Sequence, residues 1–145
     1  NGVKVEFNLT EHEKPIYADE LQIKQVILNM SKNAIEAMAG TVSPILAIST
    51  SLSNSCKHMV LTIRDNGKGL PKEDLVKLGT PFYTTKENGT GLGLNTCYRI
   101  IEEHHGKIVV ESEIGKGTKF SIFFPCKSIY EVEKDSFRLS PKKFT

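Results

Sequence analysis

Glycines 89, 91 and 93 alternate through Lys86-Glu87-Asn88-Gly89-Thr90-Gly91-Leu92-Gly93-Leu94 and lead straight into a helical pattern. Glycine at such spacing lets backbone N–H groups crowd a ligand where side chains would block it. The helix start behind them offers unpaired donors and the positive end of a dipole, which suits an anion. Lys86 adds a positive charge just upstream. Taken alone, the stretch reads equally as a flexible turn before a helix. It is not a Walker loop, because no Gly-Lys-Ser/Thr follows, and no hydrophobic strand abuts it as a dinucleotide fingerprint requires.

Two more clusters carry usable chemistry. Gln25, Asn29, Lys32, Asn33 and Glu36 recur at spacings of three and four, one stripe of a helix. Asparagine is a mediocre helix former, so two of them a turn apart ask for a reason. Their neutral oxygens suit a hydrated magnesium ion, which needs only one or two protein ligands when phosphates supply others. For Lys32 and Glu36 a solvated face is sufficient. The other cluster, Asp65-Asn66-Gly67-Lys68-Gly69-Leu70, lacks the alternate acidic groups and terminal Glu of an EF-hand loop. It reads either as a plain turn or as a carboxylate that accepts from the exocyclic amine of a planar ring. Between these clusters and the glycines runs Gly79-Thr80-Pro81-Phe82-Tyr83-Thr84-Thr85-Lys86. It is a long polar connection with two aromatic anchors, either a lid or a loop pinned to the core.

The elements that must position these residues follow from periodicity. Val3, Val5, Phe7 and Leu9 alternate with polar residues as in a half-buried strand. Asp19 caps a helix, and Gln22 three residues on completes a capping-box pattern. That helix runs from Glu20 to about Ala39, stops at Gly40, and has an apolar face of Ile23, Val26, Ile27, Met30, Ala34, Ala37 and Met38. Residues 45–53 and 59–65 form a hairpin, 71–78 a short helix, and 108–112 with 119–124 a second hairpin around Gly115-Lys116-Gly117. In the helix behind the glycines, Leu94, Cys97, Tyr98 and Ile101 share one face, which ends at Gly106. Strands with inserted helices imply an α/β two-layer sandwich, a mixed five-stranded sheet on three helices.

At 145 residues with 39% hydrophobic and 25% charged content, the chain reads as one ordinary globular domain. A net charge of +2 argues against a nucleic-acid partner, and no apolar run approaches a membrane span. Cys56, Cys97 and Cys126 are scattered, as expected of reduced thiols in a cytoplasmic protein. The chain starts at Asn1 without Met and reads as an excised piece. Residues 127–145 are expected to form a flexible tail behind a domain of residues 1–126.

Five motifs stand in one order: Asn29-Met30-Ser31-Lys32-Asn33-Ala34, Asp65-x-Gly67-x-Gly69-Leu70, Pro81-Phe82-Tyr83-Thr84-Thr85-Lys86, Gly89-Thr90-Gly91-Leu92-Gly93-Leu94 and Gly115-x-Gly117-Thr118. Together they resemble the successive boxes of the ATP-binding catalytic domain of a sensor histidine kinase, over roughly residues 1–126. The lid wording and the Ala37-Met38 helix end resemble the nitrogen-regulation and sporulation kinases. The resemblance implies the Bergerat fold, with ATP and Mg²⁺ between the asparagine helix and a lid. Carried over position by position, it implies Asn33, with Asn29, as magnesium ligand and Asn29 and Lys32 near the phosphates. It implies Asp65 as adenine acceptor, with Gly67, Gly69 and Leu70 framing the base and Thr118 close by. Lys86 resembles the lid lysine that reaches the terminal phosphate and is, with Asn33, the catalytic pair. Ala37, Thr84, Thr85, Gly89, Thr90, Gly91, Leu92, Gly93 and Leu94 complete the implied nucleotide set.

These kinases carry a phosphoacceptor histidine on a separate helical hairpin, and none of His12, His58, His104 or His105 fits that role. The expected partners are therefore ATP, a helical dimerisation and phosphoacceptor domain outside this chain, and through it a response regulator. The piece itself is expected to be a monomer and the whole protein a homodimer, with any membrane anchor outside this piece. Three alternatives share the pocket, and one of them, a related anti-sigma or protein-serine kinase, poorly fits the lid wording. A related ATPase would place a glutamate where Asn29 stands, to activate water. A nucleotide-gated interaction module would keep every motif without catalysis.

Overall fold

The structure, a computed structural model, describes residues 2–78, 92–127 and 143–144. The Gly79–Lys86 connection and Gly89, Thr90 and Gly91, with the candidates Thr84, Thr85 and Lys86, lie outside the described residues, as does most of the expected tail.

Among the described residues, ten elements follow in order. They are β1 (Lys4–Asn8), β2 (Ile16–Tyr17), α1 (Glu20–Ala37), β3 (Ile45–Leu52), β4 (His58–Asp65), α2 (Lys72–Leu75), α3 (Leu92–Glu103), β5 (Lys107–Glu113), β6 (Gly117–Pro125) and β7 (Lys143–Phe144). Five strands make one mixed sheet in the order β1-β3-β4-β6-β5, antiparallel except for the β1–β3 pair. Both expected hairpins are present, as is the two-layer arrangement. A small second sheet, β2 with β7, was not foreseen; it pairs Ile16 with Phe144 and Tyr17 with Lys143. Strands of two residues carry too little pattern to be read from sequence.

α1 begins where expected. The Asp19 carboxylate oxygen Oδ1 accepts from the backbone N–H groups of Leu21 at 3.0 Å and Gln22 at 3.2 Å. It ends two residues early, at Ala37, and Gly40 follows in the left-handed region at φ +81°. Ile23, Val26 and Met30 are fully buried. Each such side chain contributes about 1.5–3 kcal/mol, whereas the two asparagines together cost about 1 kcal/mol in helix propensity. Packing therefore decides the helix, and α1 tolerates a polar face.

In α3 the buried residues are Cys97, Ile100 and Ile101. The expected face held Tyr98 in place of Ile100; Tyr98 is half-buried at the margin of that face.

β1 departs from expectation more clearly. Its pairing sets Val5 opposite Leu46 and Phe7 opposite Ile48, so both point to the helix side of the sheet. Yet Val5 and Phe7 are 47% and 67% exposed, because β1 is an edge strand and packs little against the helices. Alternation correctly marks a strand there, but not a buried one.

The sheet register explains the most consequential feature. Met59, Leu61 and Ile63 face Phe124, Ile122 and Phe120 across the β4–β6 ladder, and this row packs under the helices. The next residue on the same side of β4 is Asp65, opposite Thr118. A carboxylate thus ends a row of core side chains and is only 4% exposed.

Candidate functional site

Where α1 ends, β4 ends and β6 begins, backbone and side chains knit a closed corner. Asp65 Oδ1 accepts from the Gly67 N–H at 2.9 Å and the Thr118 N–H at 3.3 Å. Desolvation raises the Asp65 carboxyl above its ordinary value, and those two N–H donors pull it back down. Among the described residues, both hydrogen bonds to the Asp65 carboxylate fall on Oδ1.

The chain after Asp65 is pressed onto α1. The Lys68 N–H donates to the Ala37 carbonyl at 3.1 Å. A Cβ on Gly67 would run into that carbonyl, and one on Gly69, at φ +71°, would run into the carbonyl of Glu113. These glycines therefore make room for protein backbone. The close approach fixes the loop that frames the carboxylate.

Ser112 ties the remaining side. Its Oγ accepts from the Leu70 N–H at 2.8 Å, donates to the Gly117 carbonyl at 3.0 Å and lies 2.8 Å from Thr118 Oγ1. Asn66 closes the back, where Oδ1 accepts from Ile45 N–H at 2.8 Å and Nδ2 donates to the Ser43 carbonyl at 3.0 Å. Neither residue was singled out from sequence. For Ser112 a signal existed, since counting back through the Gly115-Lys116-Gly117 turn sets it opposite Thr118.

The structure thus brings Ala37, Asp65, Gly67, Gly69, Leu70 and Thr118 together at one end of α1. Asn33 and Asn29 stand one and two turns back along the same helix, about 6 and 12 Å from Ala37 at 1.5 Å per residue. Both are half-buried, whereas Lys32 and Glu36 are exposed. The Cys97 thiol of α3 lies 3.8 Å from the Val26 carbonyl of α1, and burial pushes it up to about 11. Leu94 packs at the edge of the core and Gly93 is exposed with open space around it, while Leu92 begins α3.

No group of three or more His, Cys, Asp or Glu that could hold a metal by itself occurs among the described residues. The amide oxygens of Asn29 and Asn33 fit a cation that keeps water and shares a ligand's phosphates, as magnesium does.

The α1–α3 seam has a second side-chain tie. His104 Nδ1 is 2.7 Å from the Ile100 carbonyl, and Nε2 accepts from the Asp19 N–H at 3.0 Å. This corrects the capping box: the donor assigned to Gln22 goes to a histidine 85 residues away. No helix among the described residues is long and apolar enough to cross a membrane.

Comparison with known proteins shows what the chain is similar to. Residues 18–128 match the family described as histidine kinase-, DNA gyrase B-, and HSP90-like ATPase. Sporulation kinase C of Bacillus subtilis (strain 168) is 48% identical over 113 residues, 78% of this chain and 26% of that protein. Sporulation kinase E of the same organism is 42% identical over 135 residues, 93% of this chain and 18% of that protein. The chain therefore spans about a quarter or less of these relatives' length. Among solved structures, the catalytic domain of histidine kinase ThkA superposes with a TM-score of 0.72 at 33% identity, covering 86% of this chain and 79% of that one.

Proposed function

The chain belongs to the histidine kinase-, DNA gyrase B-, and HSP90-like ATPase family, in its histidine kinase branch, and from that membership we propose that it binds Mg-ATP and hands the γ-phosphoryl group to a histidine on a separate helical domain. The observation that carries the base assignment is the Asp65 corner. A nearly buried carboxylate has one oxygen held by two backbone donors and the other left for a ligand amine. Adenine presents such an amine; guanine presents a carbonyl there, which would face the carboxylate unpaired, at a cost of about 1–3 kcal/mol.

The same helix then runs from base to phosphates. Ala37, Gly67, Gly69, Leu70 and Thr118 shape the base end, and Asn33, Asn29 and Lys32 lie along the direction in which a nucleotide's phosphates would extend. Asn33 and Asn29 would hold Mg²⁺, which neutralises phosphate charge when bound. Lys86, with Thr84, Thr85, Gly89, Thr90, Gly91 and the start of α3, is assigned to the phosphates on the resemblance of its motif. Phosphoryl transfer consists largely of positioning and charge neutralisation, so this domain's work is to hold the nucleotide aligned until a nucleophile arrives.

Transfer is favoured over hydrolysis by Asn29. A hydrolase needs a base beside the terminal phosphate, and one turn before Asn33 this chain offers an amide without useful basicity.

Calorimetric titration with ATP and with GTP, each with and without Mg²⁺, tests the reading. ATP should bind more tightly with Mg²⁺, and GTP weakly under either condition. Saturating Mg-ATP at about 100 times its dissociation constant should add roughly 2.7 kcal/mol of stability. Incubated alone with labelled ATP, the chain should neither turn it over nor acquire phosphate. Mixed with the histidine-bearing helical domain of a longer relative's type, it should produce an acid-labile, base-stable label there. Sustained hydrolysis by the chain alone, lost in Asn33→Ala, would establish the ATPase instead.

A further inference from the structure

Exposed large apolar side chains are not spread evenly over the described residues. Seven of the nine lie on β1, on α1 or in the connections that follow them, whereas single scattered ones would need no explanation. Three of the seven stand in a row. Leu21, Leu28 and Ile35 are 73%, 69% and 44% exposed and recur every seven residues along α1. Seven residues are close to two turns, so the three form one ridge about 21 Å long. Buried Ile23 and Met30 each come two residues after a ridge residue, about 200° round the helix, and pack into the core. The ridge is therefore turned away from the sheet and adds nothing to the fold. Helix propensity does not ask for it either, since lysine or glutamate serves as well at a solvated position.

Charge says what covers it. Lys24 and Lys32, both exposed, stand four residues either side of Leu28, about 40° round the helix to each side. Glu20 and Glu36 lie about twice as far round. Lys24 meets Glu20 at 3.3 Å, but at the surface, where such a pair is worth little. The ridge is thus rimmed first by lysines. We infer that it is a docking surface for an amphipathic helix of a second protein, one with apolar residues at heptad spacing and carboxylates on its flanks. A seven-residue repeat is the period that two packed helices share, and an extended strand has no such period. A second copy of this chain fits the shape and fails on charge. Antiparallel about Leu28, two copies set Leu21 against Ile35, but also Lys24 against Lys32 and Glu20 against Glu36. In parallel register each charge meets its own kind. Flanking carboxylates instead turn both lysines attractive. Asn29 and Asn33 lie about 100° and 140° round from Leu28, so this surface is not the face given to the phosphates. The inference is independent of the nucleotide reading.

The test uses the whole chain and two synthetic helical peptides of about three heptads, both with leucine at heptad spacing. One carries glutamate on its flanks and the other carries lysine. Fluorescence anisotropy of the labelled peptides reads affinity at low and at high salt. The glutamate peptide should bind about 10-fold or more tightly than the lysine peptide at low salt, and the margin should shrink as salt rises. Leu28→Ser should weaken it about 10-fold, the loss expected for one apolar anchor. Because Leu28 is exposed, the variant should melt like the parent chain. Lys24→Glu should weaken the glutamate peptide and strengthen the lysine peptide. In the parent chain's nitrogen-15 spectrum, the glutamate peptide should move signals from Leu21 to Ile35.

Equal affinity for the two peptides, or binding of neither, would overturn the inference. So would affinity unchanged in Leu28→Ser, or signals that move only around Val76 and Ile114, which would place the contact elsewhere. Self-association of the chain, abolished by Leu28→Ser, would give the ridge to a second copy instead. Attachment to anionic vesicles without peptide binding, lost in the same variant, would give it to a lipid surface.

Discussion

The two ends of α1 are built by different means. At its C-terminal end, the corner around Asp65 is closed by backbone: N–H groups of Gly67 and Thr118 on the carboxylate, Lys68 on the Ala37 carbonyl, and glycines packed so tightly that a methyl group has no place. Toward its N-terminal end, the α1–α3 seam depends on side chains: the Cys97 thiol 3.8 Å from the Val26 carbonyl, and His104 on the Asp19 N–H. A corner made of backbone is finished before any ligand arrives. A seam made of side chains can be tuned one residue at a time. Base recognition needs the first property, since one misplaced acceptor loses discrimination. Phosphate and metal binding tolerate the second, because charge acts over longer distances.

The sharpest way to break this contrast is a methyl group in the corner. Gly67→Ala drives a Cβ into the Ala37 carbonyl, a backbone group that cannot swing aside, and strains the Lys68–Ala37 hydrogen bond. Overpacking plus a lost hydrogen bond should cost about 3 kcal/mol. In a domain of this size that lowers the melting temperature on the order of 10 °C. Gly93→Ala, at a position with open space around it, should change melting by less than about 2 °C and serves as the control. Equal melting for both variants would show that the corner is looser than its geometry.

Asp65→Asn probes the same corner with a smaller expected effect and an opposite sign for stability. The folded chain holds the Asp65 proton more tightly than the unfolded chain, because burial raises the carboxyl above its ordinary 3.8. This term favours folding fully below that ordinary value and is lost as pH rises through the folded one. At neutral pH the ionised group therefore opposes folding. Asp65→Asn should leave melting unchanged or slightly higher, and the melting difference between variant and parent should vanish in acid. ATP affinity should nevertheless fall by about 2 kcal/mol, near 30-fold, since Nδ2 would meet the adenine amine donor to donor. In the parent chain, ATP affinity should weaken as pH falls through the folded value. A large loss of stability in Asp65→Asn would instead make the carboxylate a structural brace.

How much of this was legible beforehand differs between the regions. The strands, α1, its Asp19 cap and both hairpins follow from periodicity and capping chemistry, which act within a few residues of sequence. The Asp65 motif was readable as a carboxylate ahead of close-packed glycines, but not what the glycines pack against. Ala37 and Glu113 reach them only through the fold. β1 shows the converse limit, since alternation reports a strand's two faces and not whether a neighbour covers one. Cys97 and His104 were not legible as ties because each meets a residue 71 or 85 positions earlier, across a helix packing that no local pattern encodes.

The smallest effect is expected at His104, and it tests whether the seam is held from a distance or locally. Asp19 opens α1 with a free backbone N–H, and local chemistry assigns that donor to Gln22 three residues on, as in a capping box. The geometry assigns it to His104 Nε2, with Nδ1 against the Ile100 carbonyl. Both contacts hold together only for the neutral ring protonated on Nδ1, which donates to Ile100 and accepts from Asp19. His104→Ala therefore removes a tie at each helix and should cost about 1 kcal/mol, since the Asp19 site is exposed and water replaces part of the bond. Gln22→Ala should cost only a few tenths, within the usual range for a surface change. The parent chain's nitrogen-15 spectrum should show His104 as the Nδ1–H tautomer. If Gln22→Ala proves as costly as His104→Ala, or the ring carries its proton on Nε2, the start of α1 is capped locally. The contrast would then narrow to the single contact between the Cys97 thiol and the Val26 carbonyl.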